Sequence, residues 1–273
     1  MNYKMADLWC APPPPGEDAE GMLTQLEKYG YTAVCWCTEV TGRLDSSHKL
    51  PAAPAAGGRG AVTPLRRVNV HVEDEGHVTS IHASREVLQK YDLVGLVPHS
   101  EAALERCLRP PAVDHIDLIS LPSGQRWPFL LKPPLVRKAL DAGLHFELCY
   151  SAALRDSLAR RYLVSNLQSL LQVMLPKQRR SAKGLLFSSG ADARRLLRSP
   201  EDVSNLLCLF GCHPLAAHQA VHANPQLALQ RAAQRRIPEP LAALPSIFPR
   251  DRAPLESVAH GKRKRSEEIV SGA

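Results

Sequence analysis

Four stretches of the sequence hold residues whose types and spacing could support hydrolytic or metal chemistry, and each stops short of a complete set. His71-Val-Glu73 puts an imidazole and a carboxylate on one face of a strand, and Asp7 offers a further carboxylate in the first strand. One His with one Glu is below the ligand count of a catalytic metal, so a metal-dependent phosphoesterase built on Asp7, His71 and Glu73 stands as the alternative reading. Cys208, Cys212 and His213 approach zinc spacing but lack a fourth ligand. His218 and His222 have the spacing of a metalloprotease helix, yet Gln219 occupies the place of the general base, which leaves two helix-surface histidines. Ser188-Ser189 has no Gly-x-Ser-x-Gly frame to make either serine a nucleophile, so these hydroxyls are expected to cap backbone groups or touch a phosphate. No Gly-x-x-x-x-Gly-Lys-Ser/Thr loop supports nucleotide hydrolysis.

The stronger signal is cationic. Between Arg155 and Arg198 ten basic residues face two acidic ones, an excess that by itself exceeds the net charge of +7 of the whole chain. They are Arg155, Arg160, Arg161, Lys177, Arg179, Arg180, Lys183, Arg194, Arg195 and Arg198. Arginine outnumbers lysine here, which suits forked contacts to phosphate better than solubility alone. Aromatic residues are only 5% of the chain, so base stacking on a sheet is not expected. Binding should be to phosphate and folded shape, with strong salt dependence.

The elements that must position these residues alternate in type. Strands are expected at Met5–Cys10, Thr32–Cys37, Val68–Val72, Leu93–Val97, His115–Leu121, His145–Tyr150 and Gly184–Ser188. Helical patterns intervene at about 17–29, 84–90, 101–108, 134–142 and 152–174. Ser199, Pro200, Glu201 and Asp202 mark a further helix start, Gly211 its end, and Asn224-Pro225 repeats the signal for a last helix through about Arg236. Strand, helix, strand at this cadence implies parallel strands with helices outside, and about seven strands favour a closed or nearly closed barrel. Polar residues cluster where strand passes to helix, the edge that carries function in such folds.

At 273 residues and 44% hydrophobic, the chain can bury a core without staples. Residues 1–236 read as one α/β domain, with 41–67 as a surface loop or insertion rich in Gly, Pro and Ser. Residues 237–273 read as a Pro-rich, basic disordered tail, whose Lys262, Arg263, Lys264 and Arg265 form a nuclear import address. Seven cysteines in no paired framework suit a reducing compartment, and no apolar run reaches membrane-spanning length, so no membrane partner is expected.

Several short motifs then coincide: Gly30-Tyr31, Lys132-Pro-Pro134, Phe146-Glu147-Leu148 with Tyr150-Ser151, Arg160-Arg161-Tyr162 and Ser188-Ser189. They continue through Arg198, Pro200, Asp202-Val203, Asn205-Leu206, Leu209-Phe210-Gly211 and Asn224. In this order, collinear over about residues 5 to 236, the chain resembles the thirty-kilodalton protein subunit of archaeal and eukaryotic ribonuclease P, shared in eukaryotes with the MRP ribonucleoprotein. Family members often carry a second Asp where this chain has Trp9. The resemblance implies a TIM-barrel-like fold without catalytic power of its own, beside a catalytic RNA that removes the 5′ leader of precursor tRNA. It implies no cofactor on this chain, Mg²⁺ at the RNA, and pairing with a small α/β protein subunit. The combined expectation is a nuclear, and nucleolar, RNA-binding scaffold. RNA contacts are expected at Lys132, Arg155, Arg160, Arg161, Arg179, Arg180, Lys183, Arg194, Arg195 and Arg198, with Glu147, Asp202 and Asn205 ordering strand ends and loops. A barrel that binds only proteins is the third reading.

Overall fold

Runs of β-branched and leucine residues cannot be solvated singly, and in the computed structural model, which describes residues 5–13, 19–41, 62–174 and 183–237, they pair side by side. The strands are β1 (Ala6–Cys10), β2 (Ala33–Thr41), β3 (Thr63–Val72), β4 (Leu93–Pro98), β5 (Leu118–Ser120), β6 (His145–Cys149) and β7 (Leu185–Ser188). All are parallel and lie in chain order. The two edges meet as well. Gly190 N–H donates to the Trp9 carbonyl at 2.8 Å, Ala11 N–H to the Ala191 carbonyl at 2.9 Å, and Ser189 N–H to the Asp7 carboxylate at 3.1 Å. The sheet is therefore a nearly closed, TIM-barrel-like cylinder, as the cadence predicts.

Around it lie α1 (Ala19–Lys28), α2 (Glu75–Ala83), α3 (Arg85–Leu88), α4 (Glu101–Cys107), α5 (Pro133–Asp141) and α6 (Ser151–Arg155). They are followed by α7 (Ser157–Met174), α8 (Pro200–Leu209), α9 (Pro214–Val221) and α10 (Ala223–Arg235), with 3₁₀ turns at Ala112–His115 and Arg194–Leu196. Strand alternation splits the core in two. Val68, Val70 and Val72 join Val94, Leu96, Ile119, Phe146, Leu148 and Phe187 under the helices. Ala6, Leu8, Ala33, Cys35, Leu65, Leu93, Leu118 and Leu186 pack together with Ala228 and Ala232 of α10.

Helix α10 thus stoppers the end of the barrel where the strands begin. Its alanines permit close approach, and its arginines donate to carbonyls of the turns that precede the strands. Arg231 donates to the carbonyls of Ile116, Ala142 and Val113 at 3.0, 2.6 and 3.0 Å. Arg235 donates to buried Asp117 at 3.0 Å and to the carbonyls of Leu88 and Tyr91 at 2.9 and 3.0 Å.

Several elements differ from the sequence expectation. The insertion expected at 41–67 is shorter, because Thr41 ends β2 and Thr63–Arg67 open β3; the tail and its Lys262–Arg265 run lie outside the described residues, as do most of the insertion's positions. The strand expected over His115–Leu121 begins at Leu118, after the 3₁₀ turn has used His115. The single helix expected over 152–174 is broken at Asp156, whose carboxylate accepts from Ala159 N–H at 2.8 Å and so starts α7 afresh. Helix α9 was not expected; the His213 side chain caps it by accepting from Leu215 N–H at 3.2 Å. Asn224 does not cap α10 but is buried, donating to the Leu185 carbonyl at 2.7 Å.

His145 opens β6 at 7% exposure, with Nδ1 unpartnered among the described residues. Burial, with the Arg231 charge adding, pushes its pKa down to about 4. The folded chain then binds fewer protons than the unfolded chain between pH 6.5 and 4, so stability falls as pH drops through that window. Urea midpoints should show His145→Leu losing less stability than wild type from pH 7.5 to 5, by roughly 2 kcal/mol. Parallel losses in the two proteins would remove His145 as the cause.

Candidate nucleic-acid interface

On β3 the residues Leu65, Arg67, Asn69 and His71 share one face, and Val68, Val70 and Val72 the other. Arg67 is fully buried, where an unpaired guanidinium would cost several kcal/mol. Four of its five N–H donors are engaged instead. Its terminal nitrogens donate to both Glu147 oxygens at 2.8 and 2.5 Å, Nη1 also to the Leu8 carbonyl at 2.7 Å, and Nε to Asn69 Oδ1 at 2.9 Å. Trp9 lays its ring 5.1 Å from the guanidinium carbon. Burial is the largest influence and opposes the charge, but Glu147 together with the neighbouring groups holds Arg67 above its ordinary pKa.

The network reaches further in both directions. Ser188 Oγ donates to Glu147 Oε1 at 2.6 Å. Asn69 Nδ2 donates to Glu39 Oε1 at 2.9 Å, Glu39 Oε2 pairs with His71 Nε2 at 2.8 Å, and His71 Nδ1 meets His99 Nε2 at 2.9 Å. Burial raises the Glu39 pKa, but the bonds from His71 and Asn69 prevail and lower it. A continuous hydrogen-bonded chain therefore joins exposed His99 to buried Ser188. Gly95 makes room for it: a Cβ there would lie 2.2 Å from Asn69 Oδ1 and 3.1 Å from Arg67 Nη2.

The residues weighed for metal chemistry go separate ways. Asp7 is buried and bridges to Ser189, and burial raises its pKa; His71 is bonded to Glu39 and His99; Glu73 is exposed beyond the end of β3. His213 spends Nδ1 on the α9 cap, beside a buried Cys212 whose thiol burial pushes up to about 11. The rings of His218 and His222 stack at 3.9 Å. Ser188 and Ser189 are both buried, and Ser189 Oγ donates to the Trp9 carbonyl at 2.9 Å, so these hydroxyls hold backbone and carboxylate and do not face a phosphate.

The expected RNA contacts fall into groups. Arg155 ends α6 and is ion-paired with Asp192, which binds it to the segment after β7. Arg160 and Arg161 are exposed in the second turn of α7, Arg160 Nε donating to the Ala153 carbonyl at 2.9 Å. Arg194 and Arg195 are exposed on the 3₁₀ turn after β7, and Arg198 follows. Lys132, at the cap position of α5, pairs with Glu101 at 2.8 Å. All of these follow the C-terminal ends of β5, β6 or β7. Lys183 is exposed but precedes β7, at the opposite end of the barrel, and Arg179 and Arg180 lie outside the described residues. Sequence reasoning passed over Arg126, exposed in the segment after β5, and Arg67, which it left at the edge of the insertion. Alternation of Arg67, Asn69 and His71 against the valines of β3 was the available signal for the latter.

Residues 5–237 match the family described as RNase P subunit p30. Over 162 residues the chain is 33% identical to the ribonuclease P protein subunit p30 of Mus musculus, covering 59% of this chain and 56% of that protein. Over 165 residues it is 33% identical to protein GAMETOPHYTE DEFECTIVE 1 of Arabidopsis thaliana, covering 59% of this chain and 27% of that one. The matches thus span about half, or less, of the length of these relatives. A chain in the cryo-EM structure of archaeal Ribonuclease P with mature tRNA superposes with a TM-score of 0.58 over 96% of this chain and 100% of its own, at 12% identity, a likeness of fold.

Glu147→Gln would leave Arg67 buried with its counter-charge gone. Loss of one partner of such a pair costs about 3–5 kcal/mol, so the urea midpoint should collapse. A loss below about 1 kcal/mol would mean that the pair contributes little.

Proposed function

The chain belongs to the RNase P subunit p30 family, and from that premise we propose that it is a non-catalytic protein subunit of the ribonuclease P ribonucleoprotein. Its barrel holds RNA phosphates while the RNA, with its Mg²⁺, removes the 5′ leader of precursor tRNA. The observation that carries this reading is a division of charge. Inside, Glu147 is committed to Arg67 and Ser188, and so is not available as a general base. Outside, Arg160, Arg161, Arg194 and Arg195 are exposed on neighbouring segments that leave the strand ends. Exposed cations after adjacent strands recognise a polyanion without needing to break its bonds.

Membership also supports a small α/β protein subunit as partner, residence in the nucleus and nucleolus, and a share in the MRP particle. The chain itself binds no cofactor in this reading. Among the described residues no helix is long and apolar enough to cross a membrane.

The test is RNA binding by Arg160→Ala/Arg161→Ala, measured from 50 to 200 mM salt with a precursor-tRNA transcript and with the ribonuclease P RNA. Affinity should fall several-fold and the log–log salt slope should lessen by about 1 to 2, as expected for one or two lost phosphate contacts. Unchanged affinity and slope would remove these arginines from the interface. Leader removal by the purified chain, free of RNA, would overturn the non-catalytic assignment.

A further inference from the structure

Two buried tyrosines from opposite sides of the β7–β1 seam reach the same residue. Tyr31, just before β2, donates its hydroxyl to the Arg198 carbonyl at 3.3 Å, and Arg198 N–H donates to the hydroxyl of Tyr150, just after β6, at 3.1 Å. Their exposures are 5% and 1%. Both peptide groups flanking the Arg198 Cα are thereby fixed by side chains rather than by a helix or a sheet. A tyrosine buried for packing alone needs some partner for its hydroxyl; here two independent tyrosines have the same one.

The segment they grip is held from below as well. Ala193, Leu196 and Leu197 are buried in a cluster with Met22, Leu26, Tyr31, Val34 and Trp36, which leaves Arg194 and Arg195 outermost on the turn. Arg198 Nη1 folds back onto the carbonyls of Arg195 and Leu197 at 2.9 and 2.7 Å, closing the turn over its own arginine. Asp192, immediately before it, is paired with Arg155 of α6. The result is a short arginine-bearing turn whose backbone is set before any ligand arrives.

We propose that Tyr31 and Tyr150 are positioning residues for RNA: their hydroxyls pin Arg198 so that Arg194, Arg195 and Arg198 present a preformed cationic turn to the phosphates of a folded RNA. This rests on the RNA-binding reading above and goes beyond it by naming the turn and the residues that hold it. A flexible loop would have to be ordered on binding, at a cost in affinity, whereas a preformed turn avoids that cost. Burial pushes both phenols well above their ordinary pKa, so the clamp persists across the pH range in which RNA is handled.

The experiment compares wild type, Tyr31→Phe/Tyr150→Phe and Arg194→Ala/Arg195→Ala/Arg198→Ala in binding a folded precursor-tRNA transcript across a salt titration, below each protein's melting temperature. The tyrosine variant keeps every positive charge, yet its affinity should fall about fivefold and its salt slope by about one, with the arginine variant falling further. A merely structural role would lower the melting temperature and leave the slope of the folded protein unchanged, which overturns the inference. If the arginine variant weakens binding and the tyrosine variant does not, the clamp is wrong and the RNA-binding reading stands. If neither variant differs from wild type, the turn is no part of the interface and both the clamp and this part of the reading fall. Should the double tyrosine variant fail to fold, each single Phe variant, which loses one bond, is read by the same criteria.

Discussion

The Arg67–Glu147 pair is the constraint around which the barrel interior is arranged. A guanidinium and a carboxylate, both fully buried, are stable only if nearly every donor and acceptor finds a partner. That requirement explains otherwise unrelated choices on five strands. The Leu8 carbonyl on β1 turns to Arg67, Asn69 on β3 orients its oxygen, β4 gives up a side chain at Gly95, and β7 supplies the Ser188 hydroxyl to Glu147 on β6. Trp9 then covers the cation with an apolar face that still attracts it.

A filled interior moves function to the outside of the strand ends. The arginines there include Arg155, ion-paired with Asp192, and others exposed on α7 and on the turn after β7. An ion pair holds an arginine in place but partly neutralises it, and any side chain ordered only on binding loses entropy then. The Tyr31 and Tyr150 bonds act on backbone rather than charge, so they order this surface without spending its positive potential.

Much of this is legible in the sequence alone. Ser199-Pro200 with Glu201 and Asp202 marked the start of α8, and Ser199 Oγ does accept from Asp202 N–H at 3.2 Å. The apolar runs at Leu93, His145 and Leu185 marked strands because burial on both faces leaves no polar alternation to confuse with a helix. The beginning of β3 was not legible, since Pro64, Arg66 and Arg67 carry the composition of a loop. The break at Asp156 was hidden for a similar reason: a leucine stripe runs through it, and only the cap geometry shows two helices.

By itself the sequence determined the parallel α/β alternation, the count of strands and the surplus of arginine after β6 and β7, because periodicity, capping and charge are local properties of neighbouring residues. Only the tertiary structure decided which charges meet. Arg67 and Glu147 are eighty positions apart, and Tyr31 and Arg198 are separated by 167. Pairing over such distances is set by barrel closure and strand register, which no local pattern encodes. The same closure sent Lys183 to the other end of the barrel from Arg194, though both were equal members of one basic stretch in the chain.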